Sequence, residues 1–126
     1  MGIWQYTLIG FAGFKNDLIT IGGEVSYKSN LDLTEGDNAW GISETGSVGI
    51  SEKTEIFVRY DYSLTSIPQG ETIQWNYLLD GKFAIAGVQY TLSQNVKIAL
   101  DYQNRSPYNI NQQNTRSVYV NALFKF

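Results

Sequence analysis

Arg59 and Asp61 stand two residues apart in the stretch IFVRYDYSL, and Lys97, Asp101 and Arg105 recur at even spacing in VKIALDYQNR. Glu24 and Lys28 repeat the pattern in EVSYK. In an extended strand, residues an even number apart share a face, so each set projects charges from one side of a strand. The chemistry open to such sets is electrostatic: charges of both signs along a wet passage impose a transverse field on solutes moving through it. The same residues also read as ion pairs that only hold a wall together. Lys28, Arg59, Lys97 and Arg105 nearly balance Glu24, Asp61 and Asp101, so no strong ion preference is expected. The segment DLTEGDN offers Asp32, Glu35 and Asp37 as hard oxygen ligands of the kind calcium takes, but at a spacing that completes no EF-hand loop. These three are a weak calcium candidate; no metal and no cofactor is expected.

Catalysis is poorly served. The chain has neither His nor Cys, so the usual nucleophile and base pairs cannot be assembled, and no enzyme is expected. The missing Cys also rules out a disulfide framework. With a net charge of −3 there is no basic footprint for nucleic acid. Charged residues make up 17% of the chain, below the roughly 25% of an ordinary soluble domain. Aromatics reach 14%, nine of them Tyr, beside 12 Gly and 2 Pro, which is the composition of an all-β chain. No apolar run approaches the roughly 20 residues of a spanning helix. The opening MGIWQYTLIG lacks a basic start followed by an apolar stretch, which suggests either a leader already removed or a piece of a larger product.

The elements that would carry these residues are strands, because apolar and polar residues alternate with a period of two almost throughout. Seven are expected, at about 3–14, 18–28, 39–50, 54–64, 81–92, 96–105 and 115–126. Short turns (15–17, 51–54, 93–95) alternate with long polar loops (29–38, 65–76, 106–114), as in an up-and-down meander. These strands have the roughly 9–11 residues that cross a tilted bilayer path. An eighth strand at IQWNYLLDG (73–81) is the alternative.

An ordinary sandwich alternates as well. Here the polar face carries charges in mid-strand, and the apolar face carries Trp4, Phe14, Tyr27, Trp40, Tyr60, Tyr62, Tyr90 and Tyr102. Rings with one polar edge suit a membrane–water boundary, so these are expected to form aromatic girdles around an apolar band. Glu44 falls on that apolar face, which predicts a bulge beside Gly46, a shifted register or a subunit contact; Lys82 is left unexplained.

The last residues read SVYVNALFKF, with Phe126, Phe124, Ala122, Val120 and Val118 at alternate positions. This resembles the C-terminal strand signal of Gram-negative outer-membrane barrels, which the barrel-assembly machinery reads. More loosely, IFVRYDYSL followed by KFAIAGVQYTLSQNVKIALDYQ resembles the last strands of phosphate-selective-porin-like proteins. The resemblance implies an all-β, transmembrane up-and-down antiparallel barrel in the outer membrane, with the lipid bilayer and the assembly machinery as partners. It further implies a porin-like channel for passive diffusion of small polar solutes or ions. Alternatives are a structural or secretion-associated barrel component that docks other subunits, and a soluble lipocalin-like barrel with the apolar face inward. Single-chain bacterial barrels usually have even strand counts, so residues 1–126 are expected to be the C-terminal seven, or eight, strands of a larger barrel completed by further strands or subunits.

Overall fold

The computed structural model describes residues 2–109 and 111–126. Seven strands appear in chain order: β1 (Tyr6–Lys15), β2 (Ile19–Ser29), β3 (Ala39–Gly49), β4 (Thr54–Thr65), β5 (Gly81–Ser93), β6 (Val96–Pro107) and β7 (Thr115–Phe124). They form one open antiparallel sheet in the order β1-β2-β3-β4-β5-β6-β7. A short 3-10 turn at Leu31–Leu33 follows β2. At 10 to 13 residues, the strands are about twice the mean globular length of 5–6.

The alternation works as it must when one face is apolar. Cross-strand partners share a face, so the register assembles rows. Ile56 lies between Val48 and Val88, and Leu100 between Val88 and Val120. Ser43 lies between Glu24 and Asp61 on the other face. A one-residue slip would exchange the two faces completely.

Nothing covers either face of the single sheet, and what burial there is falls on polar residues. Among the described residues no apolar side chain is buried, and the buried ones are Ser29, Thr65, Asp80, Asp101 and Asn109. Val58, Val88, Leu100 and Val120 on the apolar face are exposed, whereas Ser43, Asp61 and Gln103 on the polar face are half-buried. In β4 to β6 the polar face is the more sheltered one, although Arg59 and Arg105 on it are exposed.

Several expectations change. Residues 73–80 contain no strand, so the eighth strand is absent and only Gly81 joins β5. The expected first strand began at residue 3, but Trp4 precedes β1; it is 83% exposed and its carbonyl accepts from the Asn30 side-chain amide. Phe126 lies beyond β7, fully exposed, although the Lys125 N–H still bonds the Asn95 carbonyl in the β5–β6 turn. The register of β2, β3 and β4 is continuous through Glu44. No bulge therefore relieves it, and it stands on the apolar face between Gly23 and Tyr60. The register shift falls instead between Thr91 and Ser93 of β5, which makes Leu92 the extra residue.

Gly87 shows how closely the polar face is packed. A Cβ there would lie 2.4 Å from the Phe57 ring, 2.8 Å from the Asp101 Cβ and 2.8 Å from the Leu100 carbonyl oxygen. Phe57 thus covers bare backbone across the β4–β5 pair. Gly87→Ala is expected to cost about 1–3 kcal/mol through overpacking, and Phe57→Ala in the same chain should recover part of it. Denaturant unfolding of the single and double variants checks this; a neutral Gly87→Ala would mean that the ring moves aside freely.

Candidate functional site

The polar face gathers most of the charged residues picked out from the sequence. Glu24, Ser43, Asp61, Phe83 and Arg105 occupy one register row across β2 to β6. Thr45, Arg59, Ile85 and Gln103 form the adjoining row, and Phe57, Gly87, Asp101 and Tyr119 the next. Lys28 lies away from these rows near the long-loop end, opposite Thr7 and Ala39, and Lys97 near the short-turn end, opposite Thr91 and Leu123.

One ion pair is formed among the described residues: Arg59 Nε donates to Asp61 Oδ2 at 2.8 Å. Asp61 also accepts from the Ser43 hydroxyl on the neighbouring strand. With Arg59 half in solvent, such a pair stabilises by only about 0.2–1 kcal/mol; its effect is to hold the guanidinium in place. Asp101 departs from expectation. It pairs with neither Lys97 nor Arg105 and instead accepts from the Gln103 amide at 2.8 Å and the Asn121 amide at 2.6 Å. It is nearly buried, and its charge is held by neutral dipoles rather than by a countercharge. With Asp61 matched by Arg59, Glu24 on β2 and Arg105 on β6 face each other along one row, four strand spacings apart. At about 4.8 Å per strand that is roughly 19 Å along the sheet, and among the described residues neither forms an ion pair.

Sequence reasoning missed Ser43 and Asn121 as partners, because each becomes one only through cross-strand register, and it missed Gln103, two residues from Asp101 on the same face of β6. The rings of Phe11, Phe57, Phe83 and Tyr119 also sit on the polar face; alternation already sets Phe57 beside Arg59 and Tyr119 opposite the apolar side, but not what they cover, as Phe57 covers Gly87.

The long loops knit one rim. The Trp75 indole N–H donates to the Asn38 carbonyl at 2.9 Å, and the Ser66 hydroxyl to the Gly36 carbonyl at 2.6 Å, joining loop 66–80 to loop 30–38. Asp80, 0% exposed, accepts from the Thr65 N–H at 2.8 Å, from the Thr65 hydroxyl and from the Ser63 hydroxyl at 3.4 Å. Its carbonyl takes the Tyr108 N–H at 3.0 Å, and the Tyr77 hydroxyl donates to the Tyr108 carbonyl at 3.0 Å. Among the described residues no three acidic side chains, Asp32, Glu35 and Asp37 included, gather closely enough to hold a metal.

Tyr108 closes the rim by donating its hydroxyl to the Tyr62 hydroxyl. Its pKa is pushed up to about 12, first by burial, then by that hydrogen bond and by the neighbouring Tyr62, Tyr60 and Asp80. A phenol whose folded pKa lies above its ordinary 10 contributes stability below pH 10 and loses it as the pH climbs towards 12. The difference in phenolate absorbance between wild type and Tyr108→Phe should therefore show a group that ionises near 12; a group titrating at 10 would contradict it.

On the apolar face, Tyr6 packs on Tyr27 with centroids 6.0 Å apart and Tyr27 on Trp40 at 5.2 Å, so rings line the long-loop end of β1 to β3. Phe14 and Tyr90 lie near the short-turn end, and Val118, Val120, Ala122 and Phe124 line β7 on the same face. Tyr60 and Tyr102 were expected near strand ends, but the register sets both in mid-strand. Comparison with protein-family models, with curated proteins and with solved structures finds no match to any of them.

Proposed function

We propose that this chain forms part of the wall of an outer-membrane pore in a Gram-negative bacterium, through which small polar solutes diffuse passively. The observation that supports the reading is an extended, largely exposed apolar face, interrupted by one row with Glu44, Asn104 and Arg116, backed by a face of charges, amides and hydroxyls that is the more sheltered of the two in β4 to β6. In water an apolar face of this extent is an aggregation liability; against lipid it is the required surface, and the polar face then meets the lumen. The rings of Tyr6, Tyr27, Trp40 and Tyr62 suit one membrane boundary, and the final alternation through Phe124 suits recognition by the assembly machinery. On this reading the lumen charges modulate a sieve set by width. A lipocalin-like barrel would need the apolar face inside, and in β4 to β6 the more sheltered face is the polar one.

Planar-bilayer recording tests the proposal. Discrete conductance steps in potassium chloride are expected, and Arg105→Glu should shift the reversal potential towards cation preference. A silent bilayer containing correctly inserted protein would end the pore reading.

One feature favours a second reading, a barrel that docks other subunits on its outer face. A single register row of the apolar face carries Glu44, Tyr60, Ala84, Asn104 and Arg116. A groove of about 830 Å³ runs beside Gly23, Gly46 and Ala84, and Asn104 Oδ1 is buried there without a hydrogen-bond partner. A protein contact, unlike lipid, could satisfy this row. Insertion without conductance would favour this second reading.

A further inference from the structure

The polar face holds a hollow of about 300 Å³, bordered by Thr20 of β2, Thr45 and Ser47 of β3, and Glu55, Phe57 and Arg59 of β4. The register puts these side chains on one face: Thr20 stands opposite Ser47, Ser47 opposite Phe57, and Thr45 opposite Arg59. A volume of this size lies at the lower end of small-ligand sites.

Two phenyl rings flank the hollow, and each lies on glycine. A Cβ at Gly87 would fall 2.4 Å from the Phe57 Cζ. A Cβ at Gly22 would fall 3.5 Å from the Phe11 Cε2 and 3.5 Å from the Thr45 hydroxyl oxygen, and one at Gly13 would fall 3.1 Å from the Phe11 Cζ. The Phe11 ring therefore lies down over both glycines and meets Thr45 at the edge of the hollow. It is 73% exposed, so the ring face turned away from the sheet is open.

The polar groups narrow the ligand. Asp61 neutralises Arg59 at 2.8 Å, and among the described residues Glu55 forms no ion pair. Nor, among those residues, do the side chains of Thr20, Thr45 and Ser47 form hydrogen bonds. The hollow is thus net negative and disfavours anions. An ammonium group would meet Glu55, but it has no acceptor to offer the Arg59 guanidinium or the three hydroxyl hydrogens. A neutral ring bearing several hydroxyls suits every group present. Each hydroxyl both donates and accepts, and the C–H face of the ring can lie against the negative face of a phenyl ring.

We infer that this hollow is a binding subsite for a neutral sugar. Phe57 and Phe11 stack on its C–H face, and Glu55, Arg59 and the three hydroxyls take its hydroxyl groups. Such a subsite rests on the proposed function in one respect, that the polar face meets water, and it names the solute class carried along that face.

Saturation-transfer NMR on the membrane-extracted protein in detergent tests this, with the aromatic protons irradiated and maltose as the probe. Maltose C–H signals should take up saturation, and a titration gives the affinity. Phe57→Leu keeps an apolar side chain and loses the ring; it should weaken binding about fivefold, whereas Phe57→Tyr should retain it. Glu55→Gln, which removes no apolar contact, should weaken binding about tenfold. Inorganic phosphate or choline at the same concentration should not displace maltose. No transfer to maltose overturns the inference, as does an affinity that Phe57→Leu and Glu55→Gln leave unchanged. Displacement by phosphate or choline also overturns it and makes the hollow an ion site. Bilayer conductance is the separate readout of the pore. Maltose binding without conductance leaves the subsite standing and ends the pore; conductance without maltose binding does the opposite.

Discussion

Leu100→Arg is expected to destabilise the protein by about 2–4 kcal/mol when it is folded in a bilayer, the cost of a guanidinium near the midplane of a barrel's lipid face. Leu100 lies in mid-strand on the apolar face, between Val88 and Val120. It is 54% exposed, and in water an exposed substitution ordinarily stays within about 0.5 kcal/mol. The prediction thus separates the two environments by magnitude alone. Guanidinium unfolding in phospholipid vesicles measures it, with Ala99→Arg on the opposite face as the control expected to cost much less. A Leu100→Arg protein as stable as wild type would put this face in water.

The second large effect is expected at the rim. Asp80 is the most completely buried side chain described, and the Thr65 N–H and hydroxyl both end on it. Asp80→Ala strands two donors at about 1–3 kcal/mol each, so a loss of about 2–6 kcal/mol is expected. Loop 66–80 should then release both its neighbours. Faster hydrogen exchange at residues 66–80 and around Tyr108, with β6 and β7 unchanged, is the accompanying signature. Asp80→Ala within about 0.5 kcal/mol of wild type, with exchange unaltered, would mean that the rim is held by Trp75 and Ser66 instead.

How far the sequence carried is clearest from particular residues. All seven strands were legible because the period of two is long and regular, and the shared face of Arg59 and Asp61 followed from spacing alone. Strand ends were not. Trp4 and Phe126 continue the alternation on paper but lack a partner strand residue to bond. IQWNYLLDG alternates well enough to suggest a strand, yet Trp75, Asn76 and Asp80 spend their hydrogen bonds on other loops and on turns. Asp80 ends that alternation on paper, yet its partners are Ser63 and Thr65 of β4 and the Tyr108 N–H, which only the fold brings together. Asp101 was grouped with Lys97 and Arg105 by its position on β6, whereas its partners are set by the adjacent side chain Gln103 and by the β6–β7 register that brings Asn121 opposite Ala99. A shared face along a strand is visible in sequence; which neighbour a side chain bonds, along the strand or across it, is not.

Glu44 on the apolar face predicts a bulge, a shifted register or a subunit contact. The register is intact, and the acidic side chain belongs to a row whose other polar members, Tyr60, Asn104 and Arg116, are scattered through the sequence. Only the sheet aligns them.

The central claim is that the exposed apolar face lies against lipid and the polar face against water. Spin labels on Val88→Cys and Ala99→Cys test it most directly, because the chain has no other Cys and the two positions lie on opposite faces of adjacent strands. In vesicles, the label at residue 88 should be broadened by oxygen dissolved in the bilayer and shielded from a water-soluble nickel chelate, and the label at residue 99 should show the reverse. Equal exposure of both labels to the nickel chelate would contradict the account.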